Sequence, residues 1–112
     1  MNSISGHHVA STSTVEAMAT LSEYLEFALD KGGHLVMVKN RTSGASTLYV
    51  GDIAASDEKL PSCGKIRNDI ADAILEITVS GFNELNINGE AYRFMRFFTE
   101  VGNEGAVVFA AV

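Results

Sequence analysis

The chain has 112 residues, 46% of them hydrophobic and 20% charged, with 8 Lys plus Arg against 14 Asp plus Glu for a formal net charge of −6. That length holds one domain with one hydrophobic core, and the composition lies well away from that of disordered chains. The acidic balance argues against nucleic-acid binding, which draws its affinity from Lys and Arg, and the single cysteine, Cys63, excludes an internal disulfide and a four-cysteine zinc site.

Residues 1–12 are mostly Ser, Thr, Gly and His without periodicity and read as a flexible tail, with His7 and His8 solvated rather than metal-bound. The single α+β domain is expected over residues 13–112. The first 15 residues carry no Lys or Arg and no apolar run, so they are not expected to act as a secretory signal. No segment approaches the roughly 20 apolar residues of a membrane span, and one free cysteine suits a reducing compartment. A cytoplasmic protein away from membranes is the expectation.

Ser13 with Glu16 forms a capping box that predicts a helix starting at Thr14. Val15, Met18, Ser22, Leu25 and Leu29 make its apolar stripe with Leu21 and Ala28 beside it, while Glu16, Glu23 and Asp30 lie on the solvated side. Tyr24 and Phe27 fall outside the stripe and either widen it or mark a second contact surface. Lys31 suits the helix C-terminus, and Gly32-Gly33 supply a left-handed stop. Next come two apolar, β-branched runs, His34–Lys39 and Ser46–Val50, joined by turn residues 40–45 as a hairpin. Residues 51–64 read as a polar loop containing the only proline, Pro61.

A second helix is expected from Lys65, with Ile66, Ile70, Ala73, Ile74 and Ile77 on its buried face and Asp69, Asp72 and Glu76 outside. The last third reads as strands. Phe82–Ile87 and Glu90–Glu100 flank Asn88-Gly89, a strong hairpin signal, and Gly102-Asn103-Glu104-Gly105 turn the chain into the apolar run 106–112. A run without polar alternation belongs in the middle of a sheet. In the strand over residues 92–98 both sets of alternating side chains are largely apolar, which predicts a five-stranded antiparallel sheet with one helix on each face.

The chemical motifs are weak. Cys63 lies near Lys65 and Arg67 and, placed just before a helix, is a candidate reactive thiol, with His34 the only histidine outside the tail to serve as its base. An incidental cysteine is the simpler reading. Gly64-Lys65 lacks the rest of a phosphate loop, and Asp69, Asp72 and Glu76 read as a solvated face rather than a metal site. Tyr92–Phe98 looks like the stacking strand of RNA-binding sheets, but without a basic cluster it reads as core. Neither catalytic residues nor a cofactor are expected.

The element order, together with Gly33–Val38 after the first helix, Gly81–Ile87 after the second and Asn103–Val108 opening the last strand, resembles the roadblock family of dynein-light-chain-like and bacterial GTPase-regulator proteins over about residues 14–112. The first hairpin turn is longer than usual there, and the second helix is shorter. The resemblance implies a three-layer fold and a dimer formed through the second helix and third strand, acting as a scaffold or regulator of small Ras-like GTPases. Carried onto this chain, Ile70, Ile74, Ile77, Leu85 and Ile87 become dimer or core positions, and Leu75 the more telling contact. The expectation is a homodimeric protein-interaction module with a protein partner and no nucleic acid. The alternatives are a small acidic decoy whose carboxylates form one negative surface, or a ligand-binding domain with a pocket near Cys63 or His34.

Overall fold

The structure is a computed structural model that describes residues 6–40, 42–52 and 61–112, and the side chains from Thr14 onward. The described residues form an α+β fold of two helices and a six-stranded antiparallel sheet. Each helix leads into a three-stranded meander. Helix α1 (Gly6–Lys31) precedes β1 (His34–Asn40), β2 (Ala45–Gly51) and β3 (Ser62–Arg67). Helix α2 (Asn68–Ile77) precedes β4 (Gly81–Ile87), β5 (Glu90–Val101) and β6 (Glu104–Ala111). The strand order β3-β2-β1-β6-β5-β4 sets the two meanders side by side, joined by β1 and β6. The apolar run 106–112 therefore supplies a central strand, as its lack of alternation predicts.

Local chemistry explains most element boundaries. Gly32, at φ +71°, stops α1, and the Gly32 and Gly33 N–H groups donate to Leu29 O at 3.1 Å and Ala28 O at 3.0 Å. Asn88 and Gly89, both at positive φ, form the two-residue turn between β4 and β5. The backbone of α1 begins at Gly6, earlier than the capping box at Ser13 predicts, so part of the expected tail is helical. His7 and His8 have side chains outside the described residues.

The buried stripe of α1 is Ala17, Leu21, Leu25 and Ala28, while Val15 and Leu29 are exposed. The helix is thus rotated about its axis from the predicted stripe, which turns Ala17 and Ala28 into the core. A larger correction concerns residues 51–67. Residues 53–60 lie outside the described part, but 62–67 form β3, an extra edge strand where a loop and a helix start were expected. Ile66 belongs to that strand, opposite Ser46. Pairing with β2 overrides the helical spacing of Ile66 to Ile70, and α2 starts one residue after β3 ends.

A polar web holds that abrupt junction. Buried Ser46 Oγ donates to Asn68 Oδ1 at 2.7 Å, Asn68 Nδ2 donates to Asn40 O at 3.0 Å, and the Asn68 N–H donates to Gly44 O at 3.1 Å. The first residue of α2 is thereby tied to the β1–β2 turn.

Both helices cover the same face of the sheet, which overturns the expected helix on each side. The main core joins Leu21 and Leu25 of α1 and Ile70 and Ile74 of α2 to Leu35, Met37, Leu48, Phe94 and Phe109. Phe94 and Phe109 meet edge to face with ring centroids 5.8 Å apart. The opposite parity of the same strands supplies a second cluster, Val36, Val38, Ala106 and Val108, to which no described side chain of either helix contributes. Apolar side chains on both sides of a strand do not say what covers each face.

Candidate functional site

Cys63 lies within edge strand β3, at the irregularity where β3 shifts register against β2, and not at a helix N-terminus. Its side chain joins a half-open groove of about 440 Å³ beside the C-terminal half of α1, lined by Phe27, Lys31, Val50, Pro61 and Ser62. Tyr24 lines a neighbouring hollow that Cys63 and Phe27 also border, its phenol packed so closely over Gly64 that a Cβ added there would displace it. Burial pushes the Cys63 thiol above its ordinary range, a backbone hydrogen bond offsetting part of the effect. Burial, then the nearby Cys63 and Glu23, push Tyr24 up as well. Both groups keep their protons at neutral pH, which disfavours nucleophilic chemistry in the groove.

His34 does not help. Its parity places it with Val36 and Val38, on the face away from the helices, whereas Cys63 packs against the main core on the helix side. The sheet stands between thiol and imidazole. His34 Nδ1 is buried without a hydrogen-bond partner among the described residues.

The acidic residues are partly neutralised. Arg67 bridges the two helices, its Nε 3.0 Å from Asp69 Oδ1 and its Nη2 3.3 Å from Glu16 Oε1. Its hydrogen bond and charge hold Asp69 below the usual carboxylate range. Lys39 pairs with Asp72. A decoy would depend on Glu16, Glu23, Asp30, Asp69, Asp72 and Glu76, and three of these six thus already face a cation.

The residues that the resemblance makes dimer or core positions are buried or half-buried. Ile70, Ile74 and Ile87 are buried, and Leu75, Ile77 and Leu85 are half-buried against the main core. Several exposed apolar side chains lie elsewhere, around the start of β4 and the second half of β5. Phe82, Met95 and Phe97 share the helix-free face, Phe82 standing directly opposite Met95. Phe97 is paired with Val108, and Val108 with Val36, so these side chains continue the second apolar cluster outward. On the other face Phe98 is 75% exposed, and Val79 projects from the α2–β4 connection. The sequence carried this signal in Phe94-Met95-Arg96-Phe97-Phe98, where it reads as burial on both sides.

Buried Asn83 shapes this end of the molecule. It accepts from the Val79 N–H at 2.8 Å and donates to the carbonyls of Val79 at 2.8 Å and Gly81 at 3.1 Å. The turn that presents Val79 and Phe82 is held by a side chain from the strand it enters. No described helix is long and apolar enough to cross a membrane. Compared with known protein families, curated proteins and solved structures, the chain matches none of them.

Proposed function

We propose that this chain is a non-catalytic protein-interaction module of the cytoplasm, working as a homodimer that scaffolds or regulates a partner protein, with a small Ras-like GTPase the most specific candidate. The observation that carries the reading is the row of exposed apolar side chains Phe82, Met95 and Phe97 on the helix-free face of the sheet. Apolar groups of that size concentrated in one region, continuous with a buried cluster, are the usual mark of a surface that another protein covers. The raised Cys63 thiol and its separation from His34 favour binding over catalysis. The likeness to roadblock proteins supplies the GTPase, while the row itself supports only a protein partner.

Light scattering of the purified chain at micromolar concentration, followed by titration with Ras-like GTPases in both nucleotide states, tests this reading. Two copies of the 12.0 kDa chain and saturable GTPase binding that Phe82→Ser weakens are expected. A monomer overturns the dimer, and no binding in either nucleotide state overturns the GTPase.

A further inference from the structure

The β5–β6 hairpin reaches past the rest of the sheet. Strand β4 pairs with β5 only from Glu90 to Arg96, where Gly81 stands opposite Arg96, whereas β6 accompanies β5 on its other edge up to Val101. The outer edge of residues 97–101 therefore has no strand partner among the described residues.

The direction of its backbone groups follows from one hydrogen bond. The Val112 N–H donates to Arg93 O at 3.1 Å, so Arg93 turns its polar groups toward β6. Alternate residues of an antiparallel strand point the same way, so Met95, Phe97, Thr99 and Val101 also face β6. Phe98 and Glu100 consequently present their N–H and C=O groups to the open edge. The segment Phe97-Phe98-Thr99-Glu100-Val101 is rich in strand-forming side chains and carries no Lys or Pro to blunt it, unlike edge strand β3 with Lys65 and Arg67 beside Pro61.

Resting on the dimer reading above, we infer that this edge pairs with the same edge of a second copy, antiparallel, about a twofold axis at Thr99, making one continuous sheet across the dimer. Among the registers open to the segment, this one uses every free group. Phe98 of each copy exchanges hydrogen bonds with Glu100 of the other, roughly four bonds in all, and Thr99 meets its own counterpart as the close, non-hydrogen-bonded pair. On the helix-free face Phe97 falls opposite Val101 of the other copy, and on the helix side Phe98 falls opposite Glu100. A register centred on Glu100 sets two carboxylates against each other, and one centred on Phe98 brings Glu100 against Arg96, whose edge is already taken by β4. The same residue contacts recur in both directions, as a twofold interface requires. Phe82 and Met95 stay outside the junction and remain available to a different protein.

The test is thiol cross-linking in a Cys63→Ser chain, with light scattering before oxidation and circular dichroism as the check on folding. Paired about the axis, Thr99→Cys places its sulfurs within disulfide reach, and it is expected to cross-link roughly tenfold faster than Glu100→Cys. A dimer in scattering that fails to cross-link at position 99, or that cross-links faster at 100, overturns the edge pairing and leaves the dimer reading intact. A monomer in scattering overturns both. Should Thr99→Cys fail to fold, Thr99→Lys decides, because like charges facing each other at the axis are expected to give a folded monomer. A Thr99→Lys chain that remains dimeric overturns the proposal.

Discussion

Arg96, on the helix side of β5, closes the C-terminus of α2 through Thr78. Its Nη1 donates to Thr78 Oγ1 at 2.7 Å and to the carbonyls of Thr78 and Leu75 at 3.0 Å each, while the Thr78 hydroxyl donates to Ile74 O at 2.8 Å. A cation at the negative end of a short helix satisfies carbonyls that have no partner within it. With no basic residue in the last turn of α2 itself, the sheet supplies the charge. Removing the guanidinium in Arg96→Ala is expected to lower stability by about 2 kcal/mol, the scale of a charged hydrogen bond whose loss strands its acceptors. Urea denaturation followed by circular dichroism measures it, and a shift below about 0.5 kcal/mol refutes the capping role.

Phe94 and Phe82 are both aromatic residues near the same β4–β5 pairing, yet they are expected to respond oppositely to truncation. Phe94 is fully buried against Phe109, so Phe94→Ala is expected to cost about 3–5 kcal/mol. Phe82 is 52% exposed, and Phe82→Ser is expected to change monomer stability by less than about 1 kcal/mol while weakening association with a partner. Comparing unfolding midpoints of the two variants checks the assignment of core and contact surface.

Tyr92 donates its hydroxyl proton to Glu26 Oε2 at 2.8 Å and lies 3.3 Å from Glu90 Oε1, and the hydrogen bond to Glu26 leads the causes that push its pKa up to about 12. The protonated phenol is the form the fold favours. Its stabilisation is therefore fully present below the ordinary tyrosine range and is lost as pH rises toward 12. Ultraviolet titration is expected to show a late-ionising phenol that disappears in Tyr92→Phe and moves down in Glu26→Gln. Unchanged titration in both variants counts against the contact.

Cys63 is expected to react with a disulfide reporter at neutral pH more slowly than a free cysteine, because burial keeps its thiol protonated. The rate should climb as pH rises through and beyond the ordinary thiol range. A fast, pH-independent reaction near neutrality indicates a stabilised thiolate and reopens the nucleophilic reading.

Arg67 ties α1 to α2 through Glu16 and Asp69 at the surface. Asp69 has a lowered pKa in the folded chain, so its contribution is present above the ordinary carboxylate range and fades as pH falls through the folded value. Acid unfolding of Arg67→Gln is expected to depend less on pH in that window than the parent does. Added salt should bring the two chains together, since exposed pairs are screened.

How far the sequence reached can be followed residue by residue. Gly32-Gly33 and Asn88-Gly89 marked their turns because only a few residue types accept positive φ, and the apolar run 106–112 announced a central strand because neither face of such a strand meets water. Those are local properties. Strand β3 escaped because Ile66 and Ile70 sit at helical spacing, and only pairing with β2 makes the first of them extended. The layering escaped for a related reason. Met95 and Phe97 show by their alternation that they leave the core face, but whether they enter a second core or remain exposed depends on where α2 packs, and α2 lies beside α1. Ile70 and Ile74 were legible as apolar positions, and the shared helix layer made them interior. Chain-local sterics and burial periodicity therefore determined the turns, most strands and both helices. The tertiary structure decided which face the helices cover, and with it the place where apolar side chains and an unpaired strand edge come to the surface.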